Sequence, residues 1–196
     1  MISPKIKREI MMLKKILLGT AFIGIAFGSL FPQKANAIEQ GSYLIKDFNS
    51  KQCLHTRSAS KNIRADIITW TCRDDEHFKY EFIPVTSRFI QRRDNLYYIR
   101  DVNSGNCLHI KAASVENRAP VWTWKCSEVY GESHAMFKLI RVNSYNPNLF
   151  YIQDNNSRKC LHVKAASHEL RSPIWTWNCS EIDGESHAMF ELIPSR

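Results

Sequence analysis

Three short stretches of the chain carry tryptophan and cysteine at one fixed spacing. Residues 120–126 read PVWTWKC, residues 173–179 read PIWTWNC and residues 66–72 read DIITWTC. On an extended strand, Trp122 and Trp124 fall on one face, as do Trp175 and Trp177. Val121 and Thr123 then point to the other face. Paired indoles make a broad, flat, apolar surface. Such a surface suits the C–H face of a pyranose ring, or a protein partner, since tryptophan is enriched at interface hot spots. The alternative for Trp122 and Trp175 is packing under their own hairpin. The copy at 66–72 has Ile68 at the first position and keeps only Trp70. Its surface is expected to be weaker or inactive.

Six histidines share the same repeat. His55, His109 and His162 each lie two residues after a cysteine, and His77, His134 and His187 precede the closing aromatic segments. A neutral imidazole donates and accepts, so it can hold a sugar hydroxyl. It also titrates near pH 6.5, which would make binding acid-sensitive. A second reading makes these residues structural, through packing or turn hydrogen bonds. A third is a metal, with Glu132 or Glu185 joining a histidine pair. Neither a metal nor a cofactor is assigned. Lys111 and Lys164 extend onto the histidine face, either as a cationic flank for an acidic sugar or as a solvated strand edge. His168 sits in a polar loop. No nucleophile elbow, phosphate-cradling glycine loop or paired carboxylate is present, so the chain reads as a binding protein and not an enzyme.

These residues are positioned by three copies of one unit. Aligned on their first cysteines, the copies read YLIKDFNSKQCLHTRSAS, YYIRDVNSGNCLHIKAAS and FYIQDNNSRKCLHVKAAS. They close on HFKYEFIPV, HAMFKLIRV and HAMFELIPS. The first copy lacks three residues that the others spell around Gly-Glu-Ser. Asp-x-Asn-Ser is turn chemistry, because these side chains bond their own backbone. The flanking segments alternate as half-buried strands do, CLHIKAAS among them. Four short strands per copy, about twelve in all, predict an all-β fold. Threefold repetition favours a closed threefold architecture, since one unit cannot bury its apolar face alone.

The first 37 residues have the layout of a secretory signal peptide. Lys14 and Lys15 precede an uncharged apolar run, Ile16 to Phe31, and Ala-Asn-Ala at 35–37 offers a cleavage site after Ala37. Met11 or Met12 is a candidate start. The alternative is an uncleaved membrane anchor, although the run is shorter than the ~18–20 residues a spanning helix needs. The exported domain would be 38–196, with lobes over about 43–85, 98–142 and 151–195, secreted or periplasmic. The whole chain has 27 Lys and Arg, 19 Asp and Glu, and a net charge of +8. Six of the basic and one of the acidic residues lie in 1–37, so 21 and 18 remain, a net +3. That balance gives no argument for a nucleic-acid partner.

All six cysteines follow the leader. Cys53 and Cys72, Cys107 and Cys126, and Cys160 and Cys179 repeat one separation, which argues for three local disulfides. Each would contribute about 3 kcal/mol on a loop-entropy basis.

The Asp-x-Asn-Ser-x-x-Cys-Leu motif, the cysteine spacing, the Trp-x-Cys ending and the FKLI, FELI and YEFI closes together resemble the ricin-type β-trefoil lectin family, over roughly 43–195. The resemblance implies a β-trefoil with one shallow sugar pocket in each active lobe. It implies stacking by Trp70, Trp124 and Trp177. In a galactose-binding lobe the position of His55, His109 and His162 is an Asp, and that of His77, His134 and His187 is an Asn or Gln. The expected partners are therefore glycans, but not through the usual galactose grip. The family also supplies receptor-binding subunits of secreted toxin complexes, which gives the alternative: docking of a protein partner on the tryptophan face.

Overall fold

The computed structural model describes residues 38–86, 95–143 and 145–195. The proposed leader, 1–37, lies outside the described residues. Lobe 1 consists of β1 (Ser42–Asp47), β2 (Cys53–Thr56), β3 (Ile67–Trp70) and β4 (Lys79–Pro84). Lobe 2 repeats these as β5 (Leu96–Asp101), β6 (Asn106–Ile110), β7 (Val121–Lys125) and β8 (Phe137–Arg141). Lobe 3 follows with β9 (Leu149–Asp154), β10 (Cys160–Val163), β11 (Ile174–Trp177) and β12 (Phe190–Pro194).

The first and last strands of each lobe close a barrel. Antiparallel pairing runs β1 to β4, β4 to β5, β5 to β8, β8 to β9, β9 to β12 and β12 back to β1. The middle strands form three hairpins, β2–β3, β6–β7 and β10–β11. Bridges Asp66–Trp122, Pro120–Trp175 and Ile68–Pro173 link the hairpins to one another in a triangle. This is a β-trefoil. Closure leaves the barrel no free edge.

One apolar core is drawn from all three lobes. Ile45, Leu54, Ile99, Leu108, Ile152 and Leu161 are all wholly buried within it. Burial of each such side chain is worth roughly 1.5–3 kcal/mol. Strand alternation supplies the pattern: Val121 and Thr123 are buried while Trp122 and Trp124 are only half-buried, as the sequence implied.

Asp-x-Asn-Ser does more than turn the chain. Asp47 is fully buried, and its Oδ2 accepts from the Ser50 N–H at 2.7 Å and from the Ser50 hydroxyl at 2.6 Å. Asp154 and Ser157 repeat this at 2.7 and 2.6 Å. Gly105 takes φ +70° in the lobe 2 turn, a left-handed conformation that glycine adopts without steric cost. The asparagine then reaches another lobe. Asn49 Nδ2 donates to the Ala166 carbonyl at 3.1 Å, Asn103 to Ala59 at 3.0 Å and Asn156 to Ala113 at 3.1 Å. The motif is therefore a three-way latch between lobes.

The alanines it grips correct one expectation. CLHIKAAS does not run on as a half-buried strand. Strand β6 ends at Ile110 and is buried along its whole length, and Lys111–Ala113 is a tight helical turn. Ala112 and Ala113 take φ of 53° and 51°, as do Ala165 and Ala166. Non-glycine residues in this region are strained, so the surroundings must hold them. The asparagine bonds do so at Ala113 and Ala166.

The three disulfides are Cys53–Cys72, Cys107–Cys126 and Cys160–Cys179, each spanning 19 residues. No helix among the described residues is long and apolar enough to cross a membrane.

Candidate functional site

Each hairpin sets its histidine and tryptophans by strand register. His109 pairs with Trp122 and Cys107 with Trp124 across β6–β7; His162 pairs with Trp175 and Cys160 with Trp177 across β10–β11. The disulfide pins the end of the same hairpin. The second histidine comes from the short helical turn before the last strand, at Ser133–Ala135 and Ser186–Ala188. The rings then converge. His162 lies 5.8 Å from Trp177 and 5.6 Å from His187, edge to face. His109 lies 5.6 Å from Trp124 and 5.7 Å from His134.

In lobe 3 this group lines a cleft of about 540 Å³, with Trp175, Trp177, His162, His187, Lys164 and Ile182 in its wall. A larger cleft, of about 770 Å³, lies beside Tyr98, Tyr130 and Met136. It contains none of the repeated tryptophan–histidine set.

The two histidines of a pair differ in kind. His55, His109 and His162 are buried, at 8%, 6% and 6% exposure, and His162 lines the lobe 3 cleft. The outer rings remain reachable, with side chains 28%, 18% and 16% exposed for His77, His134 and His187. Burial, aided by the neighbouring histidine, pushes each inner imidazole down to about 4. The inner rings thus stay neutral at pH 5.5. The acid sensitivity expected near pH 6.5 does not reside in them. His162 Nδ1–H donates to the Val163 carbonyl at 2.9 Å, which leaves Nε2 as a buried acceptor with no partner.

Glu132 lies 4.0 Å from His134 and Glu185 lies 3.9 Å from His187. Among the described residues no group of three His, Cys, Asp or Glu side chains is placed to hold a metal ion.

The stacking tryptophans are fixed at their polar edge. Trp124 Nε1–H donates to Glu128 at 2.8 Å, and Trp177 Nε1–H donates to Glu181 at 2.7 Å. A bond from Lys125 and then the Trp124 indole hold Glu128 below the usual carboxylate range. Asn178 and then Trp177 do the same for Glu181. These glutamates were not among the sequence candidates, although each stands four residues after its tryptophan. In lobe 1 the equivalent Asp74 instead pairs with Lys79 at 2.9 Å.

Lobe 1 keeps Trp70, with His55 at 6.2 Å and His77 at 5.0 Å from His55. Ile68, its substitute for the first tryptophan, is 2% exposed and presents no surface. Trp122 and Trp175 by contrast stay half-exposed, beneath Lys111 at 4.5 Å and Lys164 at 4.8 Å from the ring centroids.

The family model described as "Ricin-type beta-trefoil lectin domain-like" matches residues 31–124 and 87–177. The chain belongs to the ricin-type β-trefoil lectin family. No curated protein matches it by sequence. Solved structures similar to this ricin-type trefoil share its fold at low identity. The designed threefold-symmetric protein ThreeFoil is 18% identical, with 78% of this chain and 98% of that one covered and a TM-score of 0.67. The Macrolepiota procera ricin B-like lectin, solved with lactose, is 14% identical, with 81% and 99% covered and a TM-score of 0.60. A mosquitocidal holotoxin is 12% identical with a TM-score of 0.67; 82% of this chain aligns with only 18% of that one. At these identities the likeness establishes architecture alone.

Proposed function

We propose that this protein is a secreted carbohydrate-binding protein whose working sites are the pockets of lobes 2 and 3. The observation that carries the reading is the lobe 3 cleft, where two half-exposed indoles and two histidines share one wall. The indoles supply an apolar platform for a sugar ring. The outer histidine supplies a reachable donor and acceptor. Lobe 2 repeats the same side chains, so two weak sites on one chain gain avidity through effective concentration. Three disulfides support an exported protein. Membership of a lectin family supports the ligand class.

A second reading is a binding subunit of a secreted toxin complex. It is favoured by the holotoxin, in which a trefoil is a small part of a longer chain. There the tryptophan face would dock on protein.

A broad glycan array with the oxidised protein separates the two. Saturable binding is expected, and Trp124→Ala with Trp177→Ala is expected to weaken it at least about thirtyfold, the equivalent of one hot-spot residue. Silence across the array, together with capture of a second secreted chain that the same double variant abolishes, would replace the lectin reading with the second.

A further inference from the structure

The pocket of each lobe borrows a cation from the lobe before it. Arg64, Arg118 and Arg171 occupy equivalent places ahead of β3, β7 and β11, all with left-handed backbone, φ 64°, 67° and 68°. Each donates its N–H to the threonine carbonyl between the tryptophan positions of another lobe. Arg64 bonds Thr123 at 2.7 Å, Arg118 bonds Thr176 at 2.7 Å and Arg171 bonds Thr69 at 2.8 Å. The threonine hydroxyl tightens the same contact in lobe 3, accepting from the Ala119 N–H at 3.2 Å and donating to the Glu116 carbonyl at 3.0 Å. Backbone pairing therefore sets where each arginine side chain starts. The guanidinium lies 5.1 Å from the Trp124 ring for Arg64 and 5.4 Å from the Trp177 ring for Arg118. Arg118 also lines the lobe 3 cleft.

A second cation sits over the other indole, Lys111 on Trp122 and Lys164 on Trp175. All four cations are exposed. None has a carboxylate within ion-pair distance among the described residues. The nearby carboxylates have other partners: Glu128 bonds Trp124 and Lys125, Glu181 bonds Trp177 and Asn178, and Glu132 and Glu185 lie 4.0 and 3.9 Å from His134 and His187. Lobe 1 is the internal contrast. Its Arg57, equivalent to Lys111 and Lys164, is neutralised by Asp66, Nε to Oδ2 3.0 Å. The Asp66 position is Pro120 in lobe 2 and Pro173 in lobe 3. Two unpaired cations over two indoles thus occur only where the second tryptophan also occurs.

We infer that lobes 2 and 3 select a sugar bearing a carboxylate or a sulfate ester. The ring stacks on the tryptophans, and the anionic group is held by the arginine of the preceding lobe and the lysine of the same lobe. Charge-assisted bonds from a guanidinium are strong and directional, and a water-poor indole wall strengthens them. The inference rests on the glycan-binding reading.

The test uses the oxidised full chain and three matched probes: a lactose-terminated glycan, its sialylated form and its sulfated form. One of the two charged probes is expected to bind at least about tenfold tighter than the neutral one, and the tighter of them identifies the anion. That preference should shrink as sodium chloride rises. Arg64→Gln with Arg118→Gln, and separately Lys111→Gln with Lys164→Gln, should each weaken the charged probe more than the neutral one and so reduce it. The lysines make no backbone latch across lobes, so their variant remains informative if the arginine variant fails to fold. Equal affinity for all three probes overturns the inference and leaves the lectin reading standing. Binding of none overturns the inference, and silence across the glycan array as well overturns the lectin reading. A charge preference unaltered in both folded variants overturns the assignment to these residues.

Discussion

Lowering the pH from 7.5 to 4.5 is expected to remove several kcal/mol of folding stability. The cause is the three inner histidines. His55, His109 and His162 are held near 4 in the folded protein by burial and by the second histidine of each pair. In the unfolded chain they titrate near 6.5. Between those values the unfolded state takes up protons that the folded state refuses, so stability is complete above about pH 6.5 and falls as the pH drops toward 4. One unit of pKa difference is worth about 1.4 kcal/mol, which makes each histidine's loss about 2 kcal/mol by pH 4.5. Asp101 and Asp154 act in the opposite sense. Burial raises both, so they favour the folded state as they take up protons, and they offset part of the loss at the acid end. Urea unfolding at the two pH values checks the balance. A midpoint that is equal or higher at pH 4.5 would show that the inner rings are not held neutral.

Removing one disulfide is expected to cost about 3 kcal/mol in any lobe, because all three close loops of the same length. Its effect on binding should depend on the lobe. Cys126 and Cys179 directly follow the Trp-Thr-Trp segments with one residue between, so their bridges hold the platform strand against the histidine strand. Cys160→Ala with Cys179→Ala should lower both thermal stability and glycan affinity. Cys53→Ala with Cys72→Ala should lower stability by a similar amount and leave affinity within about twofold, since Ile68 and the Arg57–Asp66 pair give lobe 1 no comparable pocket. Parallel calorimetric melts and glycan titrations measure both quantities. Affinity loss of the same size in both double variants would mean that the lobes are equivalent.

Much of this arrangement was legible in the sequence because it repeats. A pattern written three times at one spacing argued for the three local disulfides, and strand alternation put Val121 and Thr123 on the face opposite the tryptophans. What escaped was contact between copies. Nothing local to Arg118 shows that its N–H meets Thr176 in another lobe, or that Asn49 reaches Ala166. Such pairs are set by the packing of the lobes on one another, which brings residues 58 and 117 positions apart into contact. The helical turn at Lys111–Ala113 escaped for a related reason. Alanine has no preference for φ near +50°, and it is held there by an asparagine of another lobe. The division of each histidine pair into a buried ring and a reachable one also needed the fold, since alternation alone gives both rings the same face.

Counting sites tests the central claim most directly. The best glycan from the array should be titrated calorimetrically into the wild-type protein, Trp177→Ala and Trp70→Ala. The account predicts binding at lobes 2 and 3 only: two sites in the wild type, one in Trp177→Ala and two in Trp70→Ala. A third site lost with Trp70, or saturable binding indifferent to Trp177, would contradict it.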